Sequence, residues 1–159
     1  MSKFPDSTKY RTSATFKNRI LQLIDDNDCS SNQEFADKVG VSVPVISKAV
    51  NFCIVPTSRT LIKIADKLQL SFKYLLGLTD KNDFIASATP TTFSKRIDEL
   101  TKKRKSNYGR VTSTMEFPRN YIYEWRKEGT IPSVDYILDL ADYFNVSPDY
   151  LLGRTDYEN

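Results

Sequence analysis

The side chains able to do chemistry are few, and the missing ones narrow the choice. There is no histidine, and Cys29 and Cys53 are the only cysteines. Two thiols without an imidazole cannot complete the usual four-ligand zinc site within one chain. They read instead as reduced thiols of a cytosolic protein. The commonest general base is missing as well. A Ser-Lys or paired-carboxylate mechanism would need a motif, and none stands out, so no enzyme activity, metal or cofactor is expected. Charge is nearly balanced, 23 Lys+Arg against 20 Asp+Glu for a net +3. Total charge therefore cannot identify a polyanionic partner, and its placement along the chain has to decide.

With 40% hydrophobic and 27% charged residues over 159 positions, the balance is that of an ordinary soluble globular protein. No apolar run approaches the ~20 residues that span a bilayer, and the opening Met-Ser-Lys-Phe-Pro lacks a signal-peptide core. No membrane partner is expected, and the expected location is the cytoplasm.

The elements that must position any functional side chain come in two copies. YLLGLTD at Tyr74–Asp80 recurs as YLLGRTD at Tyr150–Asp156, an offset of 76 (150 − 74). At that offset Ser71 meets Ser147, Ala65 meets Ala141, Pro56 meets Pro132 and Ile46 meets Ile122. Nearer each start Phe16 pairs with Phe93 and Arg19 with Arg96, at an offset of 77 (93 − 16), so the second copy has lost one residue, most simply opposite Cys29. Four segments follow: a polar, flexible arm over residues 1–14, a first domain over 15–80, a linker over 81–91 and a second domain over 92–159.

Each copy reads as five short helices. In the first, Phe16, Ile20, Leu23 and Ile24 recur at helical spacing. Ser31 followed by Glu34 is a capping-box signature, and Phe35, Ala36 and Val39 are the apolar face of helix two. Gly40 ends that helix, and Ser42 caps a third over Val43–Val50, with Pro44 tolerated in its first turn. Leu61, Ile64, Ala65 and Leu68 mark a fourth helix; Phe72, Leu75 and Leu76 mark a fifth. In the second copy Phe93, Ile97 and Leu100, then Val111 and Met115, then Ile122 and Trp125, follow the same course. Ile137, Leu138, Leu140, Ala141 and Phe144 mark its helix four, and Tyr150, Leu151 and Leu152 its helix five. No period-two alternation is sustained, and the expected fold class is all-α.

The spacing of Ala36, Gly40, Ile46 and Ala49 resembles that of the lambda-repressor-like (Cro/CI, or XRE) helix-turn-helix family. A small residue lets two helices approach, a glycine turns the chain, and an apolar pair buries the third helix on the second. The resemblance extends over Thr15–Asp80 and Thr92–Asp156. It implies a helix three lying in the major groove of double-stranded DNA and a helix two whose start meets the backbone. Carried over by position, the base-reading residues of the first copy are Ser42, Val43, Pro44, Ser47 and Lys48, with Asn51 at the far end and Asn32 on a phosphate. Lys48 could meet a guanine edge. Val43 could meet a thymine methyl or, with Pro44, merely shape the helix start.

The second copy departs from the pattern at Thr112, in place of the small alanine, and at Glu116, in place of the turn glycine. Glutamate there must take a left-handed backbone or let the turn change shape. Its reading face would consist of Arg119, Asn120, Tyr123 and Glu124, followed by Arg126 and Lys127. Arginine suits guanine and asparagine suits adenine. Trp125 reads as a core anchor. Lys102-Lys103-Arg104-Lys105 and Arg110 crowd the helix one–two region, where the DNA backbone would lie. Asp135, Asp139, Asp142 and Asp149 gather on the far helices. The first copy has the reverse feature, with Asp25, Asp26 and Asp28 ahead of helix two.

A repressor-type transcriptional regulator is the leading expectation. Family members pair to read half-sites about 34–36 Å apart, and the linker could stretch to at most about 36–40 Å. One chain could thus cover a composite site, asymmetric because the two reading faces differ. The alternative is that one copy is a dimerisation or antirepressor module and the other alone binds DNA. Phe52, Ile54 and Val55 would fit a homodimer seam, and Tyr121 and Tyr123 could serve likewise. Repressors of this kind often carry a self-cleaving domain; neither that domain nor a small-molecule site is expected in this sequence.

Overall fold

Capping chemistry sets most of the helix starts. Ser31, Thr57 and Ser71 accept hydrogen bonds from the backbone amides of Glu34, Thr60 and Tyr74, and Thr92 and Ser147 do the same for Lys95 and Tyr150. Each hydroxyl satisfies an amide that the first helical turn leaves unpaired. In this computed structural model, residues 12–105, 110–111, 119–127 and 129–159 are described, with the backbone alone at 119 and 122. All their regular structure is helical, with no strand among the described residues, so the fold is all-α.

The chain divides into two compact units, Met1–Phe84 and Ile85–Asn159. The first contains α1 (Ser13–Asp26), α2 (Asn32–Val39), α3 (Val43–Phe52), α4 (Ser58–Leu68) and the single turn α5 (Phe72–Leu75). Ser13 and Ala14, expected at the end of a polar arm, are the first residues of α1, and Thr12 before them is buried. The core is built from Phe16, Ile20, Phe35, Ile46, Leu61, Ile64, Phe72 and Leu75, all almost fully removed from solvent. Apolar burial of this kind is the main favourable term in folding.

The second unit contains α6 (Phe93–Lys103), α7 (Arg119–Trp125), α8 (Val134–Phe144) and α9 (Pro148–Leu151). Arg110 and Val111 are also helical, and Val111 is buried. Asn107, Thr112, Met115 and Glu116, on which the second helix and turn of this copy were expected, lie outside the described residues. Phe93, Ile97, Leu100, Ile137, Leu140, Phe144 and Leu151 form the core. Trp125 is buried and meets Phe93 edge to face, with ring centroids 6.4 Å apart.

The same backbone signature closes α4 and α8. Gln69 and Asn145 both take a left-handed conformation at φ 55°. The next amides, of Leu70 and Val146, return to the carbonyls of Ala65 and Ala141. After α5 and α9, Gly77 and Gly153 also take positive φ, and a Cβ on either would overlap the carbonyl oxygen of Thr15 or Thr91 respectively. Glycine is required there on both counts.

Both ends of the segment expected as a linker carry hydrogen bonds. The Asn82 side chain accepts from the Ser71 amide and donates to the Gln69 carbonyl. Ser87 and Thr91 donate their amides to the carbonyls of Arg154 and Gly153. Residues 83–86 lie between these ties.

Candidate nucleic-acid interface

The local sequence makes the α2–α3 corner of the first unit. Ser31 Oγ accepts from the Glu34 amide at 3.1 Å. Glu34 reaches back with its carboxylate, as a capping box requires, but to Ser30 rather than to Ser31. The Ser30 amide and hydroxyl donate to Glu34 Oε2 at 2.8 and 2.7 Å. Those bonds, the backbone one first, hold the Glu34 carboxyl below the ordinary glutamate range. Gly40 ends α2 at φ 75°, and the amides of Gly40 and Val41 both return to the Ala36 carbonyl, at 2.9 and 3.0 Å. That double return swings the chain into α3 within three residues.

On α3, Ile46 and Ala49 face inward and are buried, while Ser42, Pro44, Lys48 and Asn51 are exposed and Val43 and Ser47 half-exposed. Residues 43, 47 and 51 stack at a spacing of four, as do 44 and 48, so they form one outward face. Ser42 was expected to cap α3, but its hydroxyl makes no cap hydrogen bond. Instead its carbonyl accepts from the Val45 amide. Pro44 in the first turn fixes that conformation without needing an amide donor. Asn32, at the start of α2, is half-exposed.

The electrostatics around this corner are mixed. Asp25, Asp26 and Asp28 are exposed just ahead of α2, and the Glu34 carboxylate sits in its first turn. In the chain these four anions flank Asn32, where the resemblance expects a phosphate. The family resemblance did not indicate this obstacle.

In the second unit α7 exposes Asn120, Tyr123 and Glu124, with Arg126 and Lys127 exposed just beyond it. Arg119 opens the helix, and its side chain lies outside the described residues. Glu124 and Lys127 pair with each other at 2.9 Å, so two of the expected base-reading groups partly satisfy one another. Tyr121, which could serve at an interface, is half-exposed and packs one side of its ring on neighbouring aromatics. Its ring packs 5.6 Å from Tyr136 and 6.2 Å from Trp125. Burial, and then Tyr121, pushes the Tyr136 phenol upward, so it stays protonated.

One further expectation is corrected, and the charged faces gain partners that the sequence did not show. Val55 is buried, because the loop after α3 folds it under the core, and only Phe52 and Ile54 of the expected seam remain exposed. The acidic far face is only partly solvated, since Asp135 and Asp149 are buried and Asp149 forms an ion pair with Arg154. Three of the four cations in the run Lys102–Lys105 have partners within the unit. Lys102 meets Asp98 at 2.8 Å, and Lys103 and Arg104 meet the two oxygens of Glu158 at 2.5 and 2.8 Å. Glu158 carries no sequence motif; only its equivalence to Asn82 by the repeat offset could have drawn attention to it.

Among the described residues no group of three or more His, Cys, Asp or Glu could hold a metal ion, and no helix is long and apolar enough to cross a membrane. Cys29 and Cys53 are half-buried thiols. The chain matches no protein-family model, no curated protein and no solved structure.

Proposed function

We infer that the chain is a sequence-specific regulator of transcription that binds double-stranded DNA, of the lambda-repressor-like helix-turn-helix kind in two tandem copies. Helix three of one or both copies would read the major groove, and the protein would work in the cytoplasm without enzymatic chemistry. The observation that supports this most directly is the α2–Gly40–α3 corner. There a short second helix turns sharply into a third whose inner pair, Ile46 and Ala49, is buried while Ser47, Lys48 and Asn51 face out.

The test is binding of the full chain to a randomised duplex pool, followed by affinity and salt slope on the selected site. Substituting Lys48→Ala and Arg119→Ala separately should each cost about 1–3 kcal/mol wherever that side chain reads a base. If the wild-type chain retains no duplex at low salt, the reading fails.

A second reading gives the first unit a protein partner, as a dimerisation or antirepressor module, and leaves DNA to the second. Asp25, Asp26, Asp28 and Glu34 oppose a phosphate at α2, and Phe52, 71% exposed at the end of α3, suits a protein contact. Under this reading Lys48→Ala leaves DNA affinity unchanged while Arg119→Ala lowers it.

A further inference from the structure

Glu158 holds the cations at the end of α6 in a way the first unit cannot copy. Its backbone carbonyl accepts from the Ser147 amide at 2.6 Å, which fixes the segment against the start of α9. Its carboxylate then spans Lys103 Nζ at 2.5 Å and Arg104 Nη2 at 2.8 Å, and Arg104 also donates to the Phe144 carbonyl at 3.1 Å. In the first unit Asn82 stands at the equivalent position, one repeat earlier (158 − 82 = 76), and it satisfies the equivalent Ser71 amide with its side chain at 2.9 Å. The residues equivalent to Lys103 and Arg104 are Asp26 and Asn27. The two copies thus keep the tie to the serine amide but differ at both partners. Where the helix end is acidic the tie is a neutral amide, and where it is basic the tie carries a carboxylate.

We propose that Glu158 is an electrostatic latch, an internal carboxylate occupying Lys103 and Arg104 in the place of a nucleic-acid phosphate and so lowering the backbone affinity of the second unit. This rests on the DNA-binding reading above and adds its regulation. The pair is suited to exchange rather than to permanent closure. Lys103 and Arg104 are 55% and 35% exposed in their side chains, and solvent-accessible ion pairs are individually weak and screened by salt. A phosphate could displace the carboxylate, whereas a fully buried partner could not be displaced.

The test compares the full chain with Glu158→Gln, with Lys103→Gln/Arg104→Gln, and with all three changes, on one duplex over a range of salt. Glutamine keeps the backbone bond to Ser147, and circular dichroism checks that each variant is folded. Glu158→Gln should bind about 3- to 10-fold tighter at low salt, with a log–log salt slope steeper by up to about 2, near 0.9 per phosphate newly met. The gain should vanish when Lys103 and Arg104 are also changed. If wild type and Glu158→Gln bind duplex with equal affinity and slope, or if Glu158→Gln binds more weakly, the latch is overturned while DNA binding stands. If no variant and no wild-type protein binds duplex, both fail, and that outcome is distinct from the others. A gain that persists without Lys103 and Arg104 also overturns it, since it would then arise from net charge alone.

Discussion

The Arg19 guanidinium lies 3.9 Å from the centroid of the Tyr74 ring, and Arg96 takes the same position 3.8 Å from Tyr150. Each pair joins the first helix of its unit to the turn that ends it. Arg19 goes further, donating to the carbonyls of Tyr74 at 2.8 Å and Thr79 at 2.7 Å, and to Gln22. It is buried although charged, which is tolerable because the ring face and the carbonyls replace the water it loses. Arg96 Nε is also buried but finds no hydrogen-bond partner, with Glu99 3.8 Å away.

Arg19→Ala should therefore destabilise the first unit by about 2–4 kcal/mol, from the lost stacking, hydrogen bonds and stem packing together. Arg96→Ala should cost the second unit less, about 1–2 kcal/mol. Urea unfolding followed by circular dichroism for the helices of both units, and by the fluorescence of Trp125, the only tryptophan, for the second, separates the effects. An equal cost at both sites would contradict the difference in hydrogen bonding.

Two glycines with the same backbone sign should respond differently to alanine. Gly77 at φ 74° faces the Thr15 backbone, whereas Gly40 at φ 75° has nothing within 4 Å of an added Cβ. Gly40→Ala carries only the left-handed penalty of about 1–2 kcal/mol. Gly77→Ala adds a clash with backbone that cannot move aside, and about 3 kcal/mol or more is expected. Thermal melts of the two variants check the order.

The one residue that distinguishes YLLGRTD from YLLGLTD has a partner. Arg154 and Asp149 form a buried pair, and their counterparts are Leu78, 40% exposed, and Lys73. Arg154→Leu leaves Asp149 buried without its cation and should cost about 3–5 kcal/mol. Arg154→Leu with Asp149→Lys restores the first unit's combination and should recover most of that loss. Denaturant midpoints of the single and double variants supply the comparison; failure of the double variant to recover would mean that the pair is not the cause.

Acid should weaken the fold through two carboxylates. Hydrogen bonds from Ser30 hold Glu34 below the ordinary range, and hydrogen bonds from Lys103 and Arg104 do so for Glu158. A carboxyl whose folded pKa is lowered adds stability above its unfolded pKa, and that stability is lost as pH falls through the folded value. The contribution of both groups should thus be level above about pH 5 and decline below about pH 4. Melting temperatures of wild type, Glu34→Gln and Glu158→Gln between pH 6 and 3 should converge at the acid end. Salt should shrink the Glu158 difference more than the Glu34 one, because the first depends on ion pairs and the second on a backbone amide. Curves that stay parallel down to pH 3 would rule this out.

The features legible in the sequence were those set within a few residues. The apolar spacing, Ser31 as a cap and Gly40 as a helix stop all depend on one turn of helix, whose period and end chemistry are local. Local too was the division of α3 into an inner pair and an outer face, since a spacing of four decides it. Long-range placement could not be read in the same way. Arg19 and Arg96 are buried although charged, and Val55 leaves the exposed seam. Arg19 meets the Tyr74 carbonyl across 55 positions, and Lys103 meets Glu158 across the same number. Whether a charge faces water, a ring or an opposite charge depends on which distant segment the packed core brings beside it. Hydrophobic burial draws those segments together without regard to their order in the chain.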